Sequence, residues 1–506
     1  MNKIFNVIWS KTKETWIVVS ERVKTNGGVP KSPLKSLALL AAMLLAGAPA
    51  YGLDPGALPG GGQVTAGSAT IGVSGTQMTV NQSSQQMIAN WNSFNIGANA
   101  GVRFNQPNSA AGALNRISGQ SPSQIMGSLS SNGQVFLLNP SGIIFGKTSR
   151  VDVGGLVASS LSISDSDFLA GKNRFFNTGG NAGSVLNQGV INAMPGGVVA
   201  LIAPKVSNEG SITADGGSVA LAAGKQVSLD FKGDGLITLT VDQAAVDAEV
   251  SNSGLLQADG GMVVMTTRSA DALVGSVVNN SGIVRARGMV ERNGEILIDA
   301  GPGGTAEISG TLDASAPDGG DGGFIETSGA SVKVLDGTTV TTLAPLGKNG
   351  IWLIDPAGYT IASSGGDISG TTLSSNLAGG NISLSSTDGS GSDGNINVND
   401  TVTWSAHELK LTATKDVNIN AAMNVNGTAT LDLEPGSGNV NVGMNAAGTS
   451  FTGAVNFASS GTGLLTINGN AYTLISRANY NDAMSGSSIS SSMRISLCAL
   501  VSSVRI

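Results

Sequence analysis

Histidine and cysteine each occur once in this chain of 506 residues, as His407 and Cys498, and the two scarcities remove whole classes of chemistry. A Ser-His-Asp triad would have to be built on His407, which lies far from any nucleophile motif and reads as an exposed strand residue. Zinc sites of Cys and His ligands cannot be assembled from one of each. No disulfide can form within the chain, so an exported protein of this size must be held by its hydrogen-bonded ladders and its core. Aromatic residues are only 4% and charged residues only 12% of the total, against 41% hydrophobic. With 72 glycines the chain could pass for disordered, but so little charge beside so much apolar side chain argues for a packed fold. No catalytic, cofactor-binding or metal-binding residue is assigned.

Charge is divided between the ends. Residues 1–50 carry seven Lys and Arg and two acids, which leaves 20 basic and 32 acidic side chains beyond them, a net of −12. Nothing in that acidic remainder forms a basic face for nucleic acid.

Residues 1–50 read as targeting sequence. A short basic segment, 29–35, precedes an apolar run, 37–45, and Ala48-Pro49-Ala50 is a small-x-small cleavage site, so signal peptidase is expected to cut after Ala50, with a cut after Ala48 the alternative. The apolar run is too short to span a bilayer. The leading 28 residues, with Phe5, Trp9 and Trp16 among mixed charges, resemble the extended signal-peptide region of very large exported proteins of Gram-negative bacteria.

From Gln63 the chain reads as short strands punctuated by Gly67, Gly72 and Gly75. Further on, the runs 135–138 and 143–145 are joined by Asn139-Pro140-Ser141-Gly142, and a third run, 151–157, follows. Pro140 presets φ, Gly142 accepts positive φ, and Asn139 can bond its own backbone two residues on, so this tetrapeptide is a tight corner between strands.

After residue 156 the same grammar repeats. Asn187, Asn208, Asn252 and Asn280 each open an Asn-x-Gly segment that ends in a short apolar run and Ala, and Ser309-Gly310-Thr311-Leu312-Asp313-Ala314 is a fifth version. The copies are spaced by about 20 to 45 residues, one or two coils each. Alternation assigns Val219 and Leu221, Val227 and Leu229, and Ile296 and Ile298 to one buried face, the inside of a stack of coils. Such coils contact only their neighbours and build a rod. The corner Asn and Gly residues read first as turn formers. Asp313, Asp318 and Asp321 read as solvated turn carboxylates, because a single Asp-Gly-Gly doublet is no calcium-binding array.

Trp91-Asn92-Ser93-Phe94-Asn95-Ile96-Gly97, Val102-Arg103-Phe104, Ala113-Leu114-Asn115-Arg116-Ile117, Pro122-Ser123-Gln124-Ile125 and the corner at Asn139, Pro140, Ser141, Gly142 and Ile143 stand in an order that resembles the secretion domain of two-partner-secretion exoproteins. The resemblance covers about residues 53–360 and is nearer the high-molecular-weight adhesins than filamentous haemagglutinin. Two departures stand out. Ser141 occupies the place of the family's second Asn, and being a turn former it should preserve the corner, while the Asn-Pro-Asn-Leu turn of the haemagglutinin branch has no counterpart.

The resemblance implies an all-β, right-handed parallel β-helix. It further implies Sec-dependent export, then recognition of the unfolded leading coils by an outer-membrane transporter with periplasmic domains, and release to the medium or the cell surface of a Gram-negative bacterium. The corner residues 139–143 would be the secretion motif. On this reading 1–50 is the extended signal peptide, 51–360 the secretion domain, 361–475 further β-helical passenger and 476–506 an atypical tail. The segment Trp352-Leu353-Ile354-Asp355-Pro356 marks the first boundary, as a similar segment does in the resembled adhesins. In the tail, Arg477, Arg494 and Arg505 follow a stretch without arginine from residue 293, which reads as a truncated or frame-shifted end, the alternative being an interaction tail.

The expected protein is a non-enzymatic adhesin or haemagglutinin with an unidentified receptor. Two rivals are a β-helical polysaccharide-binding protein or lyase, and the stalk of a contact-dependent toxin. A lyase needs a convergent acid and base in one groove, and no cluster of Arg, Lys and Asp at coil spacing is visible.

Overall fold

The computed structural model describes residues 5–10, 15–20, 52–231, 235–269, 275–386 and 394–474. The chain divides into two units, Met1–Gly52 and Leu53–Ile506. In the first, Phe5–Ser10 pairs antiparallel with Thr15–Ser20, Trp9 opposite Trp16. The cleavage residues Ala48 and Ala50, the tail from 476 and Cys498 lie outside the described residues.

Strands of three to seven residues are too short to hold a sheet alone, and in the coils each gains its partners from the coil before and the coil after. Ser128–Ser131, Gln134–Leu138 and Ile143–Phe145 belong to three different sheets, and the chain then returns to the first sheet at Arg150–Val153. Repetition of this circuit builds sheets of 16, 11 and 8 strands, parallel except for end strands of the first two, a parallel β-helix. Alternate residues point inward, so that Val135, Leu156, Val199, Val219, Val263 and Ile296 stack in one column through direct register partners, all fully buried. A slip of one residue would turn such a column outward, which is what locks the register.

The run 151–157 is two strands, not one. Arg150–Val153 and Gly155–Ser159 lie in different sheets, and the chain turns between them at Gly154, where a Cβ would sit 2.7 Å from the carbonyl oxygen of Gly133. Gly72, read as punctuation, lies inside Ala69–Ser74, whereas Gly67 and Gly75 do turn the chain with φ of 75° and 58°.

Val227 and Leu229, expected on the inside of the coils, are buried outside them. Gln226–Phe231 pairs antiparallel with Asn173–Phe176 and Ile237–Gln243, and this small sheet lies with the helix Asp165–Leu169 against the outer face of the 16-stranded sheet. Val227, Leu229, Phe175 and Phe168 meet Phe136, Ala200, Ile202 and Ala220 in a second core. Val198–Ala203 and Ser218–Ala223 are consequently buried on both faces, and this explains their continuous apolar sequence.

Antiparallel strands cover sheet edges at both ends. Gln63–Ala66 pairs with Gln86–Trp91, Ala69–Ser74 with Gln77–Gln82, and Asn470–Leu474 with Gly461–Ile467. Between residues 331 and 404 the three-sided circuit changes. The 16-stranded sheet runs on from Ile351–Asp355 to Asn381–Ser385, while the other two end at Thr339–Thr341 and Ser331–Val334 and new sheets begin at Tyr359–Ile361 and Val402–Trp404. The helix Gly370–Asn376 meets one abandoned edge, where the Asn376 side chain accepts from the Val340 N–H at 2.7 Å and donates to the Thr338 carbonyl at 3.1 Å, standing in for a strand's peptide. Trp352 is buried at this change and donates through Nε1 to Thr327 Oγ1 at 3.1 Å.

His407 is not an exposed strand residue. It is half-buried in a bend with φ of 67°, and its Nδ1 lies 2.6 Å from the Leu377 carbonyl oxygen.

Candidate secretion site

The corner at Asn139, Pro140, Ser141 and Gly142 forms as its residue types dictate. The Gly142 N–H donates to the Asn139 carbonyl at 2.8 Å, closing the turn, and the Ser141 N–H donates to Asn139 Oδ1 at 2.9 Å. Gly142 has φ of 107°, and a Cβ there would lie 2.7 Å from the Ser184 carbonyl oxygen, so both conformation and space require glycine.

Asn139 is wholly buried and clamps more than one coil. Its Nδ2 donates to the Ser121 carbonyl and to Ser123 Oγ, each at 3.0 Å, in the preceding coil, while its backbone N–H donates to the Ser159 carbonyl at 3.0 Å in the following one. Pro140 and Gly142 extend the clamp. The Pro140 carbonyl accepts from the Gly183 N–H, and the Gly142 carbonyl from the Ser123 N–H. Ile143 then points into the core. Ser141 is accommodated where an Asn was expected, its hydroxyl 3.4 Å from the Gly119 carbonyl. Every polar atom of the Asn139 side chain is thus committed within the fold.

The other motif residues gather on the same coils. Trp91 packs edge-on against Phe94 at 5.3 Å, and its Nε1 donates to Asn115 Oδ1 at 3.0 Å. Asn115, also wholly buried, donates onward to the Phe136 carbonyl at 3.3 Å. Arg116 is held outside by the Ile163 carbonyl and by Asp165, both at 2.8 Å, which tethers the helix of the second layer. The motif is therefore a set of core and inter-coil contacts.

Contrary to the sequence reading, Arg and Asp do stack at coil spacing. Gln257, Arg285 and Asp313 are successive register partners on the outer face of the 11-stranded sheet. Arg285 reaches Asp259 Oδ2 at 2.7 Å through Nη2 and both carboxylate oxygens at 3.1 Å through Nε, and Arg287 meets Asp313 at 2.7 Å. Hydrogen bonding to Asp259 raises the pKa of Arg285 despite the opposing effect of burial. Asp313 is buried rather than solvated and also caps Ser315, while Asp318 and Asp321 are exposed. These charges neutralise one another and leave no convergent acid and base. Superposing the repeats on Asn252 and Asn280 would have revealed the column, since Gln257 and Arg285 stand at the same place in each. No group of three or more His, Cys, Asp or Glu suited to a metal ion occurs among the described residues.

Residues 56–308 match the family model described as the TPS secretion domain, and residues 1–50 match the one described as the extended signal peptide of type V secretion systems. The crystal structure of the HMW1 secretion domain from Haemophilus influenzae is similar to this one, with a TM-score of 0.58 and 26% identity over 76% of this chain and 99% of that one. Two heme/hemopexin-binding proteins of Haemophilus influenzae are 32% identical over 197 residues and 43% identical over 84 residues, or 38% and 17% of this chain. Those matches span 22% and 9% of the relatives' own lengths.

Proposed function

The chain belongs to the family of TPS secretion domains, and from that membership we propose that its leading coils are the signal by which a dedicated outer-membrane transporter recognises and exports it. It is an exoprotein of two-partner secretion, directed across the envelope of a Gram-negative bacterium by its extended signal peptide and then secreted or retained at the surface. The transporter is its outer-membrane partner. Periplasmic capture by that transporter, cleavage after Ala50 and the role of residues 139–143 as secretion motif are parts of the proposal. So is a non-enzymatic adhesin or haemagglutinin activity for the exported rod.

One observation carries the reading. Asn139 is wholly buried and has no free polar atom once folded, so its side chain can be read only before the coils close. An extended chain can add its strands to an exposed edge of the transporter. Each coil that closes outside then withdraws those strands, and a stack of neighbour-only contacts suits this sequential closure. We assign 51–360 to the secretion domain and 361–475 to the passenger. The exchange of two sheets between residues 331 and 404 supports a division in that region.

Deleting residues 51–155 while retaining the leader, residues 1–50, tests the proposal. Loss of the protein from the medium and cell surface, with the chain retained inside the envelope, is the expected result, and undiminished export would overturn it.

A further inference from the structure

We propose that the coils between residues 359 and 457 carry a docking surface for a neutral, hydroxyl-rich polysaccharide on the outer faces of their two shorter sheets. One sheet stacks Tyr359–Ile361, Ile396–Val398, Val417–Ile419 and Val440–Val442, and the other Val402–Trp404, Ala422–Val425 and Ala454–Phe457. None of these seven strands contains a charged residue. The third face of the same coils collects the charge, with Lys410 at 2.7 Å from Asp432 and 3.8 Å from Glu434, and Glu408 beside them.

What the two faces present instead is columns of amides and hydroxyls. Asn441 donates to Asn418 and Asn418 to Asn397, each at 2.9 Å, and Asn397 to Thr360 at 3.4 Å. Beside them Asn420 donates to Asn399 at 2.8 Å. On the second sheet Asn456 donates to Asn424 and Asn424 to Thr403, each at 2.9 Å. A side-chain amide offers two N–H donors and two lone pairs. Each ladder consumes at most one of each, and the remainder is left on side chains that are half-buried, as at Asn397, Asn418, Asn424 and Asn456, or exposed, as at Asn399, Asn420 and Asn441. The interior ladder differs, because there Asn208, Asn252 and Asn280 also donate to the carbonyls of Gly210, Gly254 and Gly282.

Amide groups that both donate and accept, repeated at the coil spacing of ~4.8 Å on an uncharged face, match a polymer of hydroxylated rings, whose groups also do both. The strands themselves offer an anionic chain no cation; the lysines nearby stand at the rim, Lys333 paired with Asp367 at 2.6 Å and Lys415 ahead of Val417–Ile419. The acids at the rim are engaged in turns, Asp400 accepting from the Gly370 N–H at 2.9 Å and Asp416 from the Asn439 N–H at 2.7 Å. Single contacts of this kind are weak, so binding should build with chain length. The inference goes beyond export and is measured on purified protein, so neither test decides the other.

Affinity electrophoresis of the purified full chain through gels holding dextran, mannan or amylose, and separately heparin or alginate, tests it. Retardation by at least one neutral polymer, unchanged at high salt and not competed by its mono- or disaccharide, is expected. The double variant Asn418→Asp/Asn424→Asp should weaken it by about tenfold or more, two lost contacts at about a factor of several each. Lys410→Gln, on the charged face, should leave it unchanged. If the double variant does not fold, Asn420→Lys on an exposed corner carries the same expectation. Retardation only by anionic polymers, full binding by the folded variants, or self-association of the chain with no neutral polymer bound would overturn the proposal.

Discussion

Asn208 donates through Nδ2 to Oδ1 of Asn252 at 2.7 Å, although 44 positions separate them. The interval holds the strands Gln226–Phe231 and Ile237–Gln243, which leave the coil, join the outer sheet and return without disturbing the stack. Asn187 and Asn280 extend the same buried ladder on either side, each step at 2.8 Å. Insertions are tolerated where the chain leaves and re-enters at one corner, because vertical register is set by the columns and not by the length between them.

The middle of that ladder should be costlier to remove than its end. In Asn208→Ala, Asn187 loses an acceptor and Asn252 loses a donor, with an expected loss on the order of 1–3 kcal/mol for each orphaned group. Asn280 faces Ile308 on its far side, so Asn280→Leu orphans only one neighbour. Denaturant unfolding of the two variants should rank them in that order, and equal losses would show that the ladder does not act as a chain.

At the corner, Ser141→Asn should change stability by less than about 0.5 kcal/mol, since Ser141 contributes chiefly its backbone N–H. Gly142→Ala forces a side chain into φ of 107° against the Ser184 carbonyl, at a cost of about 1–3 kcal/mol from backbone conformation alone. Equilibrium unfolding of both proteins checks the contrast, and equal behaviour would remove the steric account of this glycine.

Burial raises the pKa of Glu326 above its ordinary 4.5, with Ser328 hydrogen bonding at 2.5 Å opposing the shift and Asp299 and Asp355 adding to it. A carboxyl raised in the folded state binds its proton more tightly there than when unfolded. Its favourable contribution is therefore complete below about pH 4.5 and is lost as pH climbs through the raised value. Glu326→Gln should raise the unfolding midpoint at neutral pH and lose that advantage in acid. A gain that persists at low pH would point to packing as its cause.

The second layer should be separable from the coils. Phe175 is fully buried in the outer core, and Phe175→Ala is expected to cost about 3–5 kcal/mol locally. Hydrogen exchange should then report early opening of Asn173–Phe176 and Ile237–Gln243, with the parallel sheets still protected. Simultaneous loss of protection in both would mean that the layers fold as one.

Strand length, the glycine corners and the inward columns follow from the sequence by itself, because alternation records which side of a strand must be buried and a corner such as Asn139 to Gly142 specifies its own dihedral angles. What covers a buried side was decided only in three dimensions. Val227 and Val219 carry the same alternation, yet one packs outside the coils and the other inside. Likewise Arg285 and Asp259, or Asn208 and Asn252, become neighbours only when coils of unequal length are stacked. Periodicity is a local property of a strand, whereas vertical neighbours depend on the register of the whole stack.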